Sequence, residues 1–151
     1  MSLDVYLELP GEPEMTGATE RIFVRRDGAN VEVTRAEWNE MHPDREPVTA
    51  VMEMDTSRVF EANITHNMSR MAGECGLYEP LWRPEEIGVT HAAQLIEPLR
   101  DGLAILNSDY ERLLEFNPTN GWGSYELLVE FTANYLAACE RWPEAEVSVW
   151  A

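Results

Sequence analysis

The side chains best suited to chemistry in this chain gather in three short stretches, each lying ahead of an apolar, helix-like pattern. The first is Asn63-Ile64-Thr65-His66-Asn67, where a strand-like pattern gives way to a helical one. Backbone N–H groups at such a junction lack helical partners and point outward, which favours anions or polar ligand atoms. His66 is the side chain there that titrates near neutrality. It is the candidate acid, base or hydrogen-bond donor, with a carboxylate such as Glu61 or Glu126 as partner. The structural alternative is ordinary: Thr65 or Asn63 caps the helix and His66 is solvated.

The second stretch is Asn117-Pro118-Thr119-Asn120-Gly121-Trp122-Gly123-Ser124. An indole between two glycines is open to close approach from both faces, a stacking surface for a planar ring or a sugar. Its alternative is a tight loop whose Trp122 folds back onto the core, with Asn120-Gly121 as turn chemistry. The third is Leu81-Trp82-Arg83-Pro84-Glu85-Glu86, where Arg83 can meet a carboxylate or phosphate with two parallel bonds and Trp82 can anchor a loop. Together these nominate Asn63, His66, Asn67, Trp82, Arg83, Asn117, Asn120 and Trp122 as ligand-binding candidates. Whether they converge on one pocket stays open at the level of sequence.

Other chemistry is missing. The chain has no phosphate-binding glycine loop, no dinucleotide fingerprint, no G-x-S-x-G elbow, no H-E-x-x-H and no C-x-x-C pair. His42, His66 and His91 share no metal-ligand spacing, so no metal and no cofactor is expected. Cys75 and Cys139 each sit in an apolar helical pattern and read as two buried thiols of a reducing compartment, although a disulfide between them stays open.

The elements that must position these residues follow from periodicity. Leu3, Val5, Leu7 and Leu9 alternate with polar residues, predicting a half-buried strand over 2–9. Pro10–Gly17 reads as a loop, and 21–25 with 31–33 as a hairpin in which Gly28 supplies a positive φ. Thr34 and Glu37 form a capping-box pattern ahead of a short helix ending by Pro43. Strands are predicted over 48–54 and 58–64, and one helix over Thr65–Cys75, closed by Gly76. Pro84 opens a single helical turn that Gly88 stops. Thr90 caps a longer helix that Pro98 should kink or split. Ser108 with Glu111 is a second capping box, for a helix ending at Phe116. The last helix runs from about Ser124 to Arg141, and a terminal strand follows over 145–150. Strands at both ends with helices between predict an α+β fold, an antiparallel-rich sheet with helices on one face, in a single domain. The segment from about 10 to 57 reads as an inserted hairpin/helix subdomain.

Charge sets limits on partners. The 151 residues hold 28 acidic and 11 basic side chains, a formal net charge of −17, and every basic residue is Arg. That balance opposes direct binding of nucleic acid and of anionic lipid. No apolar run is long enough to span a membrane, and the start has no basic, apolar leader pattern. A soluble, cytoplasmic protein is expected, with a small molecule or a protein as partner and self-association left open. The carboxylates are spread along the chain, the pattern of a solvated surface; display on one side as a mimic of a phosphate backbone is the sharper reading.

At Phe60–Met68 (containing ANITHN), Leu81–Glu86 (LWRPEE), Leu95–Leu99 and Phe116–Tyr125 (containing NGWGSY, followed by Glu126), the chain resembles a family of small, acidic, uncharacterised proteins of tailed phages and bacterial (prophage) genomes. The resemblance covers 1–9 and about 58–149 and departs over 10–57, a region that varies in that family. It implies a phage or prophage setting, hence a host cytoplasm, and supplies no catalytic residues. Exclusive use of Arg fits a high-GC coding sequence. Three functions follow. The first is an accessory binding module with a polar, Trp-lined pocket for a nucleotide-like or sugar-like ligand, sequestering a host signal or metabolite. The second is a DNA-mimic or other acidic interaction protein against a host factor. The third is a small hydrolase or transferase using His66.

Overall fold

Alternation of Leu3, Val5 and Leu7 with Asp4, Tyr6 and Glu8 produces the strand it predicts, β1 (Ser2–Glu8), with the three aliphatic side chains fully buried. The computed structural model describes residues 1–11, 15–55 and 57–151, with side chains outside 15–20 and 50–55. The chain divides into two compact units, Met1–Glu12 with Ser57–Ala151, and Pro13–Thr56.

The smaller unit is a three-stranded antiparallel sheet of order β3-β2-β4, made by β2 (Met15–Arg26), β3 (Ala29–Val33) and β4 (Thr49–Asp55). β2 begins inside the loop expected over Pro10–Gly17, and residues 12–14 of that loop lie outside the described residues. The hairpin turn is only Asp27-Gly28, both at positive φ (50° and 81°). Two positive φ angles in succession mark the turn type whose twist matches paired strands. The Thr34–Glu37 capping box is formed in both directions and opens α1 (Arg35–Met41).

The larger unit resumes at β5 (Arg58–Thr65), and its helices carry most of the core. The helix expected over Thr65–Cys75 is divided: a 3₁₀ turn, His66–Met68, leads into α2 (Ser69–Glu74), which Gly76 at φ 68° terminates. A helix that periodicity did not predict, α3 (Tyr78–Trp82), follows directly. Pro80 is its third residue, where a missing N–H leaves no helical bond unmade. Pro84–Ile87 form the single turn expected, as a 3₁₀ turn, stopped by Gly88 in the left-handed region. The cap before the next segment is His91 rather than Thr90: Gln94 Oε1 accepts the N–H groups of both residues, at 3.0 and 2.8 Å.

A 3₁₀ turn over Ala92–Leu95 then precedes α4 (Ile96–Ser108), so the division attributed to Pro98 falls just before it. Ser108 ends α4 instead of capping its successor, and Asp109 precedes α5 (Tyr110–Leu113), whose chain continues as a 3₁₀ turn to Phe116. Ser124 caps α6 (Tyr125–Arg141), and β6 (Glu146–Trp150) closes the unit.

β1 is the central strand of an antiparallel sheet of order β5-β1-β6. Its inward side chains stack with Ile64, Ala62 and Phe60 of β5 and with Val149 and Val147 of β6. The helices cover that face, with α6 packed on β5 and α4. The fold is therefore α+β, with antiparallel sheets. Gly102 on α4 lets Leu77 approach so closely that an added Cβ would overlap its side chain. Leu9 N–H donates to Ser57 C=O at 2.7 Å, tying the residue after β1 to the residue before β5. Cys75 and Cys139 are free and buried, and burial pushes their thiols up to about 11 and about 12. No helix among the described residues is long and apolar enough to cross a membrane.

Candidate functional site

The site begins where β5 ends. Thr65 Oγ1 accepts the Asn67 N–H at 3.4 Å and so caps the 3₁₀ turn, while the Met68 side chain is fully buried beneath it. The loop before α6 lies directly against this turn. Gly123 has φ 106°, and a Cβ there would stand 2.6 Å from Met68 Sδ and 2.9 Å from Thr65 Cγ2. Only glycine permits both that backbone conformation and that approach.

Asn67 then ties the two segments. Its Nδ2–H group donates to the Trp122 carbonyl at 3.1 Å and to Asn120 Oδ1 at 3.4 Å. Asn120 Oδ1 also takes the Trp122 N–H, at 3.0 Å. Both backbone polar groups of Trp122 are thus engaged by asparagine side chains, while its indole stays 72% exposed. Asn117 is used elsewhere: its Oδ1 accepts the Tyr125 N–H at 2.8 Å, satisfying the start of α6 together with the Ser124 cap.

His66 is oriented from behind. The Trp82 Nε1–H donates to His66 Nδ1 at 2.7 Å, with Trp82 itself only 3% exposed. An indole N–H can only donate, so His66 Nδ1 must be the accepting nitrogen and the neutral ring carries its proton on Nε2. Tyr78 stacks on Trp82, with ring centroids 5.9 Å apart, and the His66 and Trp82 rings lie 20° from parallel. Among the described residues neither Glu61 nor Glu126 bonds to His66; Glu61 pairs instead with Arg58, at 3.6 Å. In this state His66 offers a fixed donor and no free basic nitrogen.

These parts enclose a cleft of about 710 Å³. Its floor is the outward face of the sheet, where Ser2 and Thr65 are cross-strand partners and Asn63 stands beside them. Its walls are His66, Asn67 and Trp122. Asn63 Nδ2 donates to Asp4 Oδ1 across the strand pair. Met1 also lines the cleft; among the described residues no arginine does, and the chain's net charge of −17 disfavours an anionic ligand.

Of the residues nominated from sequence, Asn63, His66, Asn67 and Trp122 meet in this cleft, and Asn120 holds its loop. Asn120 itself does not line it, nor do the other three. Trp82 is buried behind His66, Asn117 caps α6, and Arg83 borders a separate hollow of about 250 Å³, where it lies 3.6 Å from Glu86. Arg83 follows α3, an element with no periodic signature, so nothing in the sequence fixed its direction. Ser2 joins the floor unannounced; strand alternation, which puts it on the face of Asp4, is the signal that would have found it. Among the described residues no three His, Cys, Asp or Glu side chains come together as metal ligands would. Comparison with protein-family models, with curated proteins and with solved structures finds no match to this chain.

Proposed function

We propose that this chain is a phage-type accessory protein whose cleft binds a small, uncharged ligand with a ring face, such as a nucleoside or a sugar. One observation carries the reading: an exposed indole, Trp122, is held open by the Asn67 and Asn120 side chains beside a histidine whose outward nitrogen is fixed as a donor. A ring stacks on the indole face, and an oxygen or ring nitrogen of the ligand accepts from His66 Nε2–H. The phage setting is what the resemblance implies, and its ANITHN and NGWGSYE motifs contribute Asn63, Thr65, His66, Asn67 and Trp122 to the cleft. Sequestration of a host molecule is the use such a module would have.

Catalysis by His66 is less favoured, since Nδ1 of its neutral ring is taken by Trp82 and, among the described residues, neither Glu61 nor Glu126 bonds to it. Mimicry of a phosphate backbone is also less favoured. Several carboxylates are paired in place, Glu8 with Arg58, Glu140 with Arg100, and Glu74 and Asp109 sharing Arg112. The test is a thermal-shift and tryptophan-fluorescence screen of nucleosides and monosaccharides. A ligand at a hundred times its Kd stabilises by about 2.7 kcal/mol, which for a chain of this size raises Tm by roughly 5–10 °C. The shift should vanish in Trp122→Ala. A full panel without any shift refutes the reading.

A further inference from the structure

The cleft floor continues across the sheet. On the outward face Asp4 is the cross-strand partner of both Asn63 on β5 and Trp150 on β6. Asn63 lines the cleft, so Trp150 stands on the same face two strand spacings away, roughly 10 Å. Trp150 is 70% exposed, nearly as open as Trp122. Two bare indoles therefore bracket a polar strip. Within it the Asn63 amide is committed to Asp4 through Nδ2. Among the described residues that leaves the Asn63 side-chain oxygen, the second Asp4 oxygen and the Ser2 hydroxyl to bond a ligand.

The next row of the face is closed. The Arg58 guanidinium covers the Tyr6 ring at 4.2 Å and pairs with Glu8 and Glu61 at 3.4 and 3.6 Å. The open track thus runs from Trp122 to Trp150 and ends there. Its chemistry selects among polymers. Single-stranded nucleic acid also stacks on aromatic side chains, but it needs a basic groove, and here a carboxylate stands mid-track in a chain of net charge −17. An uncharged chain with ring faces and many hydroxyls meets no such penalty.

We propose that an uncharged oligosaccharide lies across this face, one ring on Trp122, another on Trp150, with hydroxyls bonded to Asp4, Asn63 and His66 Nε2–H. This rests on the cleft reading above and names its ligand class.

The test is titration calorimetry of the full chain with glucose and N-acetylglucosamine oligomers of increasing length, from the monosaccharide upward. Affinity should rise about tenfold once the oligomer spans both indoles. Trp150→Ala should erase that gain and leave the monosaccharide unchanged, whereas Trp122→Ala should weaken every length. Both side chains are exposed, so both variants should keep the parental Tm. The inference is overturned by affinity that is independent of length, by a longest oligomer indifferent to Trp150→Ala, or by no binding in either series. In any of those cases, a nucleoside or monosaccharide that still requires Trp122 leaves the cleft reading standing, and the absence of one removes both.

Discussion

Trp82→Phe tests the orientation of His66 directly. The substitution keeps an aromatic ring in contact range of Tyr78 and His66 but deletes the Trp82 donor to His66 Nδ1, a 2.7 Å bond shielded by a side chain only 3% exposed. A neutral hydrogen bond of this kind contributes about 0.5–1.5 kcal/mol net. Spent on tautomer choice, that is a two- to tenfold preference for the ring with its proton on Nε2. The smaller ring also leaves a cavity, adding roughly 1–3 kcal/mol of lost stability. The sum, about 2–4 kcal/mol, is within what a domain with a typical 5–15 kcal/mol can lose and stay folded. Nitrogen-15 NMR of labelled histidine, at a pH where the ring is neutral, reads the tautomer. The parent should show Nδ1 unprotonated and Nε2 protonated, and the variant should show a mixture with weaker ligand binding at unchanged fold. A parent with the proton on Nδ1, or a variant with the same tautomer distribution, would refute the reasoning.

Gly123→Ala should destabilise by roughly 2–4 kcal/mol, from a strained φ and from overlap with Met68 and Thr65, seen as a lower urea midpoint. Cys75 and Cys139 should resist a thiol reagent until the chain unfolds, being 2% and 0% exposed. Burial holds both thiols neutral up to about 11 and about 12, above the roughly 8.5 of an unfolded chain. Their contribution is therefore whole below about pH 8.5 and is lost as pH climbs toward the folded values. A Cys75→Ala, Cys139→Ala double variant should show a shallower fall of Tm between neutral and strongly alkaline pH, and an equal fall would contradict this. Tyr135→Phe should be neutral or stabilise by about 1 kcal/mol, because the Tyr135 hydroxyl is buried with no hydrogen-bond partner among the described residues. A loss above 1 kcal/mol would reveal a partner.

The sequence was readable where one period dominates. Leu3, Val5 and Leu7 announce a strand and its buried face, and Leu128, Thr132, Tyr135 and Cys139 announce the inner side of α6. It was unreadable where local rules conflict. Pro80 and Pro98 look like breakers, yet each falls in a first turn, where no helical bond is lost. Ser108 and Asp109 are adjacent cap residues, and only packing decides which one ends a helix. The candidate cleft divides in the same way. Asn63, His66, Asn67 and Trp122 were visible as polar or aromatic residues at element starts. The Trp82–His66 bond joins residues from different elements, and the Asp4–Asn63–Trp150 row depends on strand pairing. Neither leaves a trace in local spacing.

The Leu9–Ser57 bond has a consequence for how the molecule assembles and changes. β1 pairs with β6, more than half the chain away, so this sheet cannot complete until nearly all of the chain is available, an order of events that slows folding. The smaller unit lies inside the β1–β5 connection, and its own pairings are short-range. The residue after β1 and the residue before β5 are joined at 2.7 Å. Lengthening or shortening what hangs from that suture alters loop-closure entropy only logarithmically, about 0.6 kcal/mol per doubling. The 13–56 segment is thus a place where the chain can gain, lose or exchange material in evolution while the face that carries Trp122 and Trp150 is inherited intact.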